Sequence, residues 1–227
     1  MSSSSLKEQV YRELSRVTHA ISNPKRMELI DVLSQKSFSV EELSREILMS
    51  VASTSQHLQV LKAARLVEAE RSGNFIMYSI SDDSVLHLVF AVKELGFRKI
   101  AEIERLISDY KAGKQILESI TLDELLVKAK QEKVLLIDVR PEEEYRAGHI
   151  PDAVSIPLAQ LKKRMAGLPK GKTIVAYCRG PLCVMAADAV KILNEKKFKV
   201  LRMEDGYVEW KLKQQYPRNS KRKRGAA

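Results

Sequence analysis

Leu6, Val10, Leu14, Val17 and Ile21 recur at steps of three and four residues, a spacing that predicts an amphipathic helix. Asn23-Pro24 ends it and opens the next, because proline fits the first turn of a helix. Met27, Leu29, Ile30 and Leu33 give this second helix its apolar face. Ser39 and Glu42 have capping-box spacing, and Val40, Leu43 and Ile47 then predict a short third helix, Ser39 to Leu48. After a turn at Met49-Ser50 comes a fourth, Val51 to Lys62, with Thr54, Leu58 and Leu61 on one face. Two alternating segments between Leu66 and Ile80 flank Ser72-Gly73-Asn74 and predict a β-hairpin. Val85, Leu88, Val89, Val92, Leu95, Ile100, Ile103, Leu106, Ile107 and Tyr110 then run at near-heptad spacing. They predict one helix of about 28 residues, roughly 40 Å long. A domain this small cannot cover such a helix, so it is expected to pack against a second copy of the chain.

The pattern changes after Lys111-Ala-Gly-Lys114, which reads as part of a linker, residues 111–120. Thr121 and Glu124 form another capping box, opening a helix to about Lys130. Val134–Ile137, Ala153–Ile156, Thr173–Tyr177 and Lys199–Leu201 read as strands. Helical patterns over Leu158–Gly167, Leu182–Glu195 and Tyr207–Gln214 alternate with them. This alternation predicts an α/β domain with a mainly parallel sheet. The expected organisation is therefore a mainly α winged helix-turn-helix domain over residues 6–110 and an α/β domain over 121–216. Residues 217–227 are basic and lack large apolar side chains, so a disordered tail is expected.

Composition adds limits. No apolar run approaches the ~18 residues a membrane span needs. Met1 to Ser5 lacks a positive flank and an apolar core, so no secretory signal is expected, and the expected location is the cytoplasm. The net charge of +10 is unevenly placed. Residues 1–117 carry +1, residues 118–216 carry +4, and the last eleven residues carry +5. Charge alone therefore does not mark the first domain as a nucleic-acid binder; that case rests on pattern.

The third and fourth helices with their tight turn suit a helix-turn-helix. A recognition helix needs small and polar side chains near its start to enter the major groove, and Val51, Ala52, Ser53, Ser55, Gln56 and His57 are the candidates. The hairpin would be the wing, with Arg71 and Asn74 placed to touch phosphate or minor groove. Ser53-Thr-Ser-Gln-His-Leu-Gln-Val-Leu-Lys62, Leu66-Val67 and the Gly73 hairpin ending Tyr78-Ser79-Ile80 resemble the ArsR/SmtB family of bacterial winged-helix repressors. That resemblance implies a homodimer on double-stranded DNA carrying an inverted-repeat operator, with the first and last helices forming the dimer contact. The family's sensor residues have no full counterpart here. The third helix has no cysteine, and the last offers only His87, preceded by Asp82 and Asp83. No metal site is predicted, and the expected signal moves to the second domain.

The only two cysteines are Cys178 and Cys183. So close a pair excludes a scattered disulfide framework and points to chemistry. The run Cys178-Arg179-Gly180-Pro181-Leu182-Cys183 follows the strongest buried strand and precedes a helix. A loop there can aim backbone N–H groups and a helix N-terminus at one point, which is expected to lower the Cys178 pKa, with Arg179 adding positive charge. Asp138-Val-Arg-Pro-Glu-Glu-Glu-Tyr145, Gly148-His-Ile-Pro-Asp-Ala153, Tyr177-Cys178-Arg179 and Asp205-Gly-Tyr-Val-Glu-Trp210 resemble the rhodanese homology domain. The resemblance implies sulfane-sulfur transfer through a persulfide on Cys178. Asp138 and Arg140 read as structural, His149 as a turn residue and Trp210 as core.

The loop departs from the usual rhodanese pattern. Gly180 is third, Pro181 fourth, and Cys183 stands sixth, where arginine is common. Two readings of Cys183 stay open: attack on a Cys178 persulfide or shared binding of a soft metalloid, or a small buried residue. The whole resembles a homodimeric DNA-binding regulator, a repressor by family, whose rhodanese-like domain senses or carries a sulfane-sulfur, redox or metalloid signal at Cys178. The alternative is a working sulfurtransferase with an attached DNA-binding module. The expected partners are DNA, a second copy of the chain and a small sulfur donor or thiophilic ligand; no cofactor is implied.

Overall fold

The computed structural model describes residues 3–113 and 119–215, in two compact units that divide between Leu95 and Gly96. In the first unit α1 (Ser3–Ile21), α2 (Pro24–Leu33), α3 (Val40–Glu46) and α4 (Val51–Ala63) precede a hairpin of β2 (Val67–Ser72) and β3 (Phe75–Ile80). A short β1 (Phe38–Ser39) pairs antiparallel with β3, giving the sheet order β1-β3-β2. Leu29, Ile30, Leu43, Ile47, Leu58 and Leu61 are fully buried and form the core. The Arg26 guanidinium ties the end of α1 to α2 by donating to the carbonyls of Ala20 and His19.

Capping sets the helix starts. Asn23 Oδ1 accepts from Arg26 N at 3.2 Å. The Ser39–Glu42 box is complete, with Ser39 N donating to Glu42 Oε2 at 2.7 Å and Glu42 N to Ser39 Oγ at 3.2 Å. Ser50 Oγ accepts from Ser53 N at 3.2 Å and opens α4. Replacing Ser50 by alanine removes that acceptor and should cost about 1 kcal/mol. Chemical denaturation should show the loss as a lower midpoint with an unchanged slope; an unchanged midpoint would mean the cap contributes nothing.

In the hairpin, Ser72 pairs with Phe75, leaving Gly73-Asn74 as a two-residue turn. Gly73 has φ +60 and is the only one of the two with positive φ, as a type II′ turn requires. Nothing lies within 4 Å of a β-carbon built there, so the demand for glycine is conformational.

The long helix expected to run unbroken to Tyr110 is interrupted. α5 (Asp83–Lys99) ends before Ile100 and α6 (Ala101–Gly113) follows. Gly96, a poor helix former, lies one turn before the break. Ile100 N still donates to Gly96 O at 2.9 Å, and Ile103 Cδ1 comes within 3.4 Å of the place a β-carbon would take at Gly96. The apolar spacing carries on through the break and therefore hides it. Along α1, Leu6, Val10, Tyr11 and Leu14 are 58%, 48%, 61% and 55% exposed, so the predicted amphipathic face is largely uncovered within one chain.

In the second unit β4 (Ser119–Ile120), α7 (Leu122–Gln131), β5 (Val134–Asp138), α8 (Glu142–Ala147), β6 (Val154–Ser155), α9 (Leu158–Arg164), β7 (Thr173–Tyr177), α10 (Met185–Glu195), β8 (Val200–Met203) and α11 (Tyr207–Gln215) alternate along the chain. The five strands are all parallel in the order β4-β8-β7-β5-β6. β7 lies at the centre and is buried throughout, and its side chains alternate between two cores. Ile174 and Ala176, with Cys178 beyond them, join Leu161, Ala189 and Leu193 on one face. Val175 and Tyr177 join Leu122, Leu125 and Met203 on the other. The result is a layer of helices on each face of the sheet.

Some bounds differ from expectation. The helix expected from Leu182 starts at Met185, because Cys183 N donates back to Gly180 O at 3.1 Å and closes a turn first. β1, β4 and α8 are additional elements, too short to show a period. Of the stretch expected as linker, residues 111–113 continue α6 and 119–120 form β4. Residues 114–118 and the basic tail at 217–227 lie outside the described residues. No described helix is long and apolar enough to cross a membrane.

Candidate functional site

The loop from Cys178 to Val184 leaves the carboxyl end of the central strand β7 and leads into α10. Its base is braced by the Asp138–Arg140 pair, both fully buried. Arg140 Nη2 lies 2.6 Å from Asp138 Oδ2 and also donates to Gly148 O at 2.8 Å. Tyr177 OH accepts from Ile150 N at 3.2 Å, joining the same end of the sheet to the segment after α8. Burial first, and then the Asp138 charge, push the Tyr177 hydroxyl far above its ordinary range, so it stays neutral. These contacts agree with a structural reading of Asp138 and Arg140. His149 is exposed, stacks on Tyr145 at 3.8 Å, and has Nδ1 2.9 Å from Tyr145 O. Trp210 is half-buried against the core that holds Tyr177.

Two glycines let the backbone come close. A β-carbon on Gly206 would sit 2.5 Å from Arg179 C and Gly180 N and 2.6 Å from Cys178 O. One on Gly148 would sit 2.2 Å from Tyr207 OH. The Asp205-Gly206-Tyr207 motif therefore acts as a floor under the cysteine loop.

The two cysteines come together within the loop. Cys178 is 1% exposed, and its Sγ lies 3.7 Å from Cys183 O and 3.9 Å from Gly180 O. Cys183 is half-buried, and its neighbours Leu182 and Val184 are 59% and 45% exposed. The expectation of a lowered Cys178 pKa is corrected. Burial, followed by the hydrogen bond to Cys183 and the charge on Cys183, pushes the Cys178 thiol well above its usual range. Cys183 is lowered to about 6, first by the hydrogen bond from Cys178 and then, against burial, by the amides of Arg179 and Met185. The two thiols titrate as a pair, and the first proton to leave belongs to both.

Arg179 was expected to add positive charge to the loop. Its Nε is 3.1 Å from both carboxylate oxygens of Glu144, and Nη2 closes the fork. Glu144 is 1% exposed, so the guanidinium is held by a buried partner rather than standing bare beside the thiols. Glu209, 8% exposed, accepts from Gly206 N at 2.9 Å and packs against Gly180. Arg202, 2% exposed, donates to Pro181 O at 2.7 Å and holds the outer half of the loop. Arg202 escaped the sequence reading, and Glu144, Gly206 and Glu209 entered it only as letters of the matching stretches, with no role of their own. For Arg202 the available signal was a charge inside a strand; for Glu144 nothing separates it from its two acidic neighbours.

In the first unit the candidate DNA-contacting residues cluster at the start of α4 and at the hairpin tip. Val51, Ala52 and Gln56 are exposed, and Ser53, Ser55 and His57 are half-buried. Arg71 and Asn74 are exposed, and Arg71 Nε donates to Gly73 O at 3.3 Å. Leu48, expected as the last residue of the third helix, lies beyond the end of α3 and is 90% exposed at φ +53. Among the described residues, no three His, Cys, Asp or Glu side chains come together to hold a metal ion.

A winged helix-turn-helix unit and a rhodanese-type sheet carrying a cysteine loop define a class, and the comparisons agree. A family described as "Bacterial regulatory protein, arsR family" matches residues 23–69, and one described as "Rhodanese-like domain" matches residues 121–213. The HTH-type transcriptional regulator Rv0324 of Mycobacterium tuberculosis is 39% identical over 200 residues, covering 88% of each chain. The putative sulfurtransferase YtwF of Bacillus subtilis is 38% identical over 79 residues, 35% of this chain and 75% of that protein. The winged helix-turn-helix DNA-binding domain of Mb0332 from Mycobacterium bovis, described as homodimeric, is 30% identical, covering 41% of this chain and 87% of its own, with a TM-score of 0.40. This chain belongs to the ArsR-type DNA-binding transcriptional regulators that carry a C-terminal rhodanese-like domain.

Proposed function

We propose that the protein is a cytoplasmic homodimeric repressor that holds an inverted-repeat operator and releases it when the Cys178 loop reacts with sulfane sulfur, an oxidant or a thiophilic metalloid. The observation that carries this reading is the Cys178–Cys183 pair itself, with Cys178 Sγ 3.7 Å from the Cys183 carbonyl at the end of the central strand. Val51, Ala52, Ser53, Ser55, Gln56 and His57 would enter the major groove, with Arg71 and Asn74 on the flanking backbone. Dimerisation is supported by the uncovered apolar face of α1 at Leu6, Val10, Tyr11 and Leu14, which a second copy would bury. Efficient thiosulfate turnover is the weaker reading. Arg179 is paired with Glu144, and Cys183 occupies a position where a cation would help bind a dianion.

A switch requires the modified and unmodified loops to favour different dimer states. The test is binding to the chain's own promoter with and without polysulfide or arsenite, for wild type, Cys178→Ser and Cys183→Ser. Wild type should lose affinity at least about tenfold on treatment, within the usual range of allosteric coupling, and Cys178→Ser should not respond. Equal responses from all three proteins would refute a thiol sensor in this domain.

A further inference from the structure

The second unit carries its charge unevenly along its strands. β7 lies between β5 and β8, and all three run parallel. Val134 pairs with Thr173 and Ile174 with Val200, so the three strands start nearly level, at the end of the sheet opposite the cysteine loop. A lysine stands immediately before each start: Lys133, Lys172 and Lys199. Neighbouring strands lie about 4.8 Å apart, so the three chains enter the sheet within roughly 10 Å. Each crossover helix returns from one end of the parallel sheet to the other, so α7, α9 and α10 finish at this same end. α9 finishes on Lys162-Lys163-Arg164, Lys170 lies two residues before Lys172, and Lys196-Lys197 follow α10. All of these basic side chains are exposed.

Acids are few at this end. No acidic residue stands between Asp152 and Asp188. Glu132 pairs with Lys128 at 2.9 Å and has Lys199 at 3.8 Å; Glu195 lies in the last turn of α10. Among the described residues, Lys133, Lys170, Lys172 and Lys196 have no carboxylate partner. Acids gather instead toward the carboxyl end, as Glu142-Glu143-Glu144 after β5 and Glu204-Asp205 after β8. A helix C-terminus favours lysine in any fold, which accounts for the end of α9. It does not account for the strand-entry lysines, which stand in loops beyond the helix ends. We infer that this amino-end rim of the sheet is a second DNA surface, one that takes the phosphate backbone without reading sequence. It rests on the DNA binding of the family and not on the chemistry of the cysteines. Each phosphate that the rim neutralises releases a counterion, so it adds affinity on any duplex. The cysteine loop stands at the opposite end of the same strands.

The experiment measures binding of the purified full-length protein across a salt series, to a duplex from the chain's own promoter and to an unrelated duplex of equal length. The variant compared is Lys133→Gln/Lys170→Gln/Lys172→Gln/Lys196→Gln. Its denaturation midpoint should match wild type, because all four side chains are exposed. Binding to B-DNA falls with a log–log salt slope of about −0.9 per neutralised phosphate, so the variant's slope should be shallower by at least about 1 on both duplexes. Arginine at the same four positions keeps the charge and should keep the wild-type slope. Equal slopes for wild type and the glutamine variant overturn the inference, and so does a change confined to the promoter duplex. A second measurement needs no variant. Limiting acetylation of wild type should modify these four lysines at least about threefold more slowly with saturating DNA than without it. Vesicles containing phosphatidylserine should give no such protection. Equal rates with and without DNA, or protection by vesicles as strong as by DNA, overturn the inference. Slopes that differ as expected, with no preference of wild type for the promoter duplex, support the rim and sink the operator reading.

Discussion

Gly206→Ala should abolish the native cysteine loop. The added methyl would stand 2.5 Å from Arg179 C and Gly180 N and 2.6 Å from Cys178 O. All three neighbours are backbone, so no side-chain rotation relieves the clash. Either the loop moves off its floor or α11 moves off the loop. The second route would also pull away Glu209, whose carboxylate takes Gly206 N and packs against Gly180. Overpacking of this kind costs about 1–3 kcal/mol where neighbours can give, and backbone neighbours give less. The expected outcome is a loss of at least about 3 kcal/mol, together with faster alkylation of the otherwise buried Cys178. Two measurements check it: the denaturation midpoint and the relative labelling rates of the two thiols. A variant with wild-type stability and wild-type labelling rates would show that the close approach of the Asp205-Gly206-Tyr207 turn is not a constraint.

That turn also shows what the sequence could and could not convey. The motif Asp205-Gly-Tyr-Val-Glu-Trp210 was legible as a motif, but its partner is a loop nearly thirty residues earlier, and only the fold supplies the contact. Local signals read correctly: both capping boxes, the Gly73 turn and the buried run of β7 depend on residues a few positions apart. The interruption at Ile100 did not read, because the apolar period continues across it and a single Gly96 is tolerated in many helices. The lowered pKa expected for Cys178 did not hold. A loop before a helix does favour a thiolate, but burial and the neighbouring Cys183 push the Cys178 thiol the other way. Neither of those is a property of spacing. The charge of Arg179 was likewise visible, while the carboxylate that holds it lies on α8, an element too short to announce itself.

Arg140→Met should be the most damaging change that leaves the cysteine loop's own residues untouched. Arg140 and Asp138 are both fully buried, and their forked contact runs through Nε at 3.0 Å and Nη2 at 2.6 Å. Removing the guanidinium strands the Asp138 carboxylate without its charge partner in the interior. Breaking such a pair from one side costs about 3–5 kcal/mol, mostly as the penalty of an uncompensated buried charge. The Gly148 carbonyl also loses its 2.8 Å donor, at the point where Gly148 admits Tyr207. The disturbance should therefore reach the loop floor as well as β5. Asp138→Asn in the same chain removes the stranded charge while keeping an acceptor for Arg140 N, which bonds Asp138 Oδ1 at 3.0 Å. The double variant Asp138→Asn/Arg140→Met should recover about 1–2 kcal/mol relative to Arg140→Met alone, a coupling expected for residues in direct contact. Denaturant titration of the wild type, both single variants and the double variant completes the cycle. If Arg140→Met costs less than about 1 kcal/mol, or the double variant is no more stable than the single one, the pair is not what braces the base of the cysteine loop.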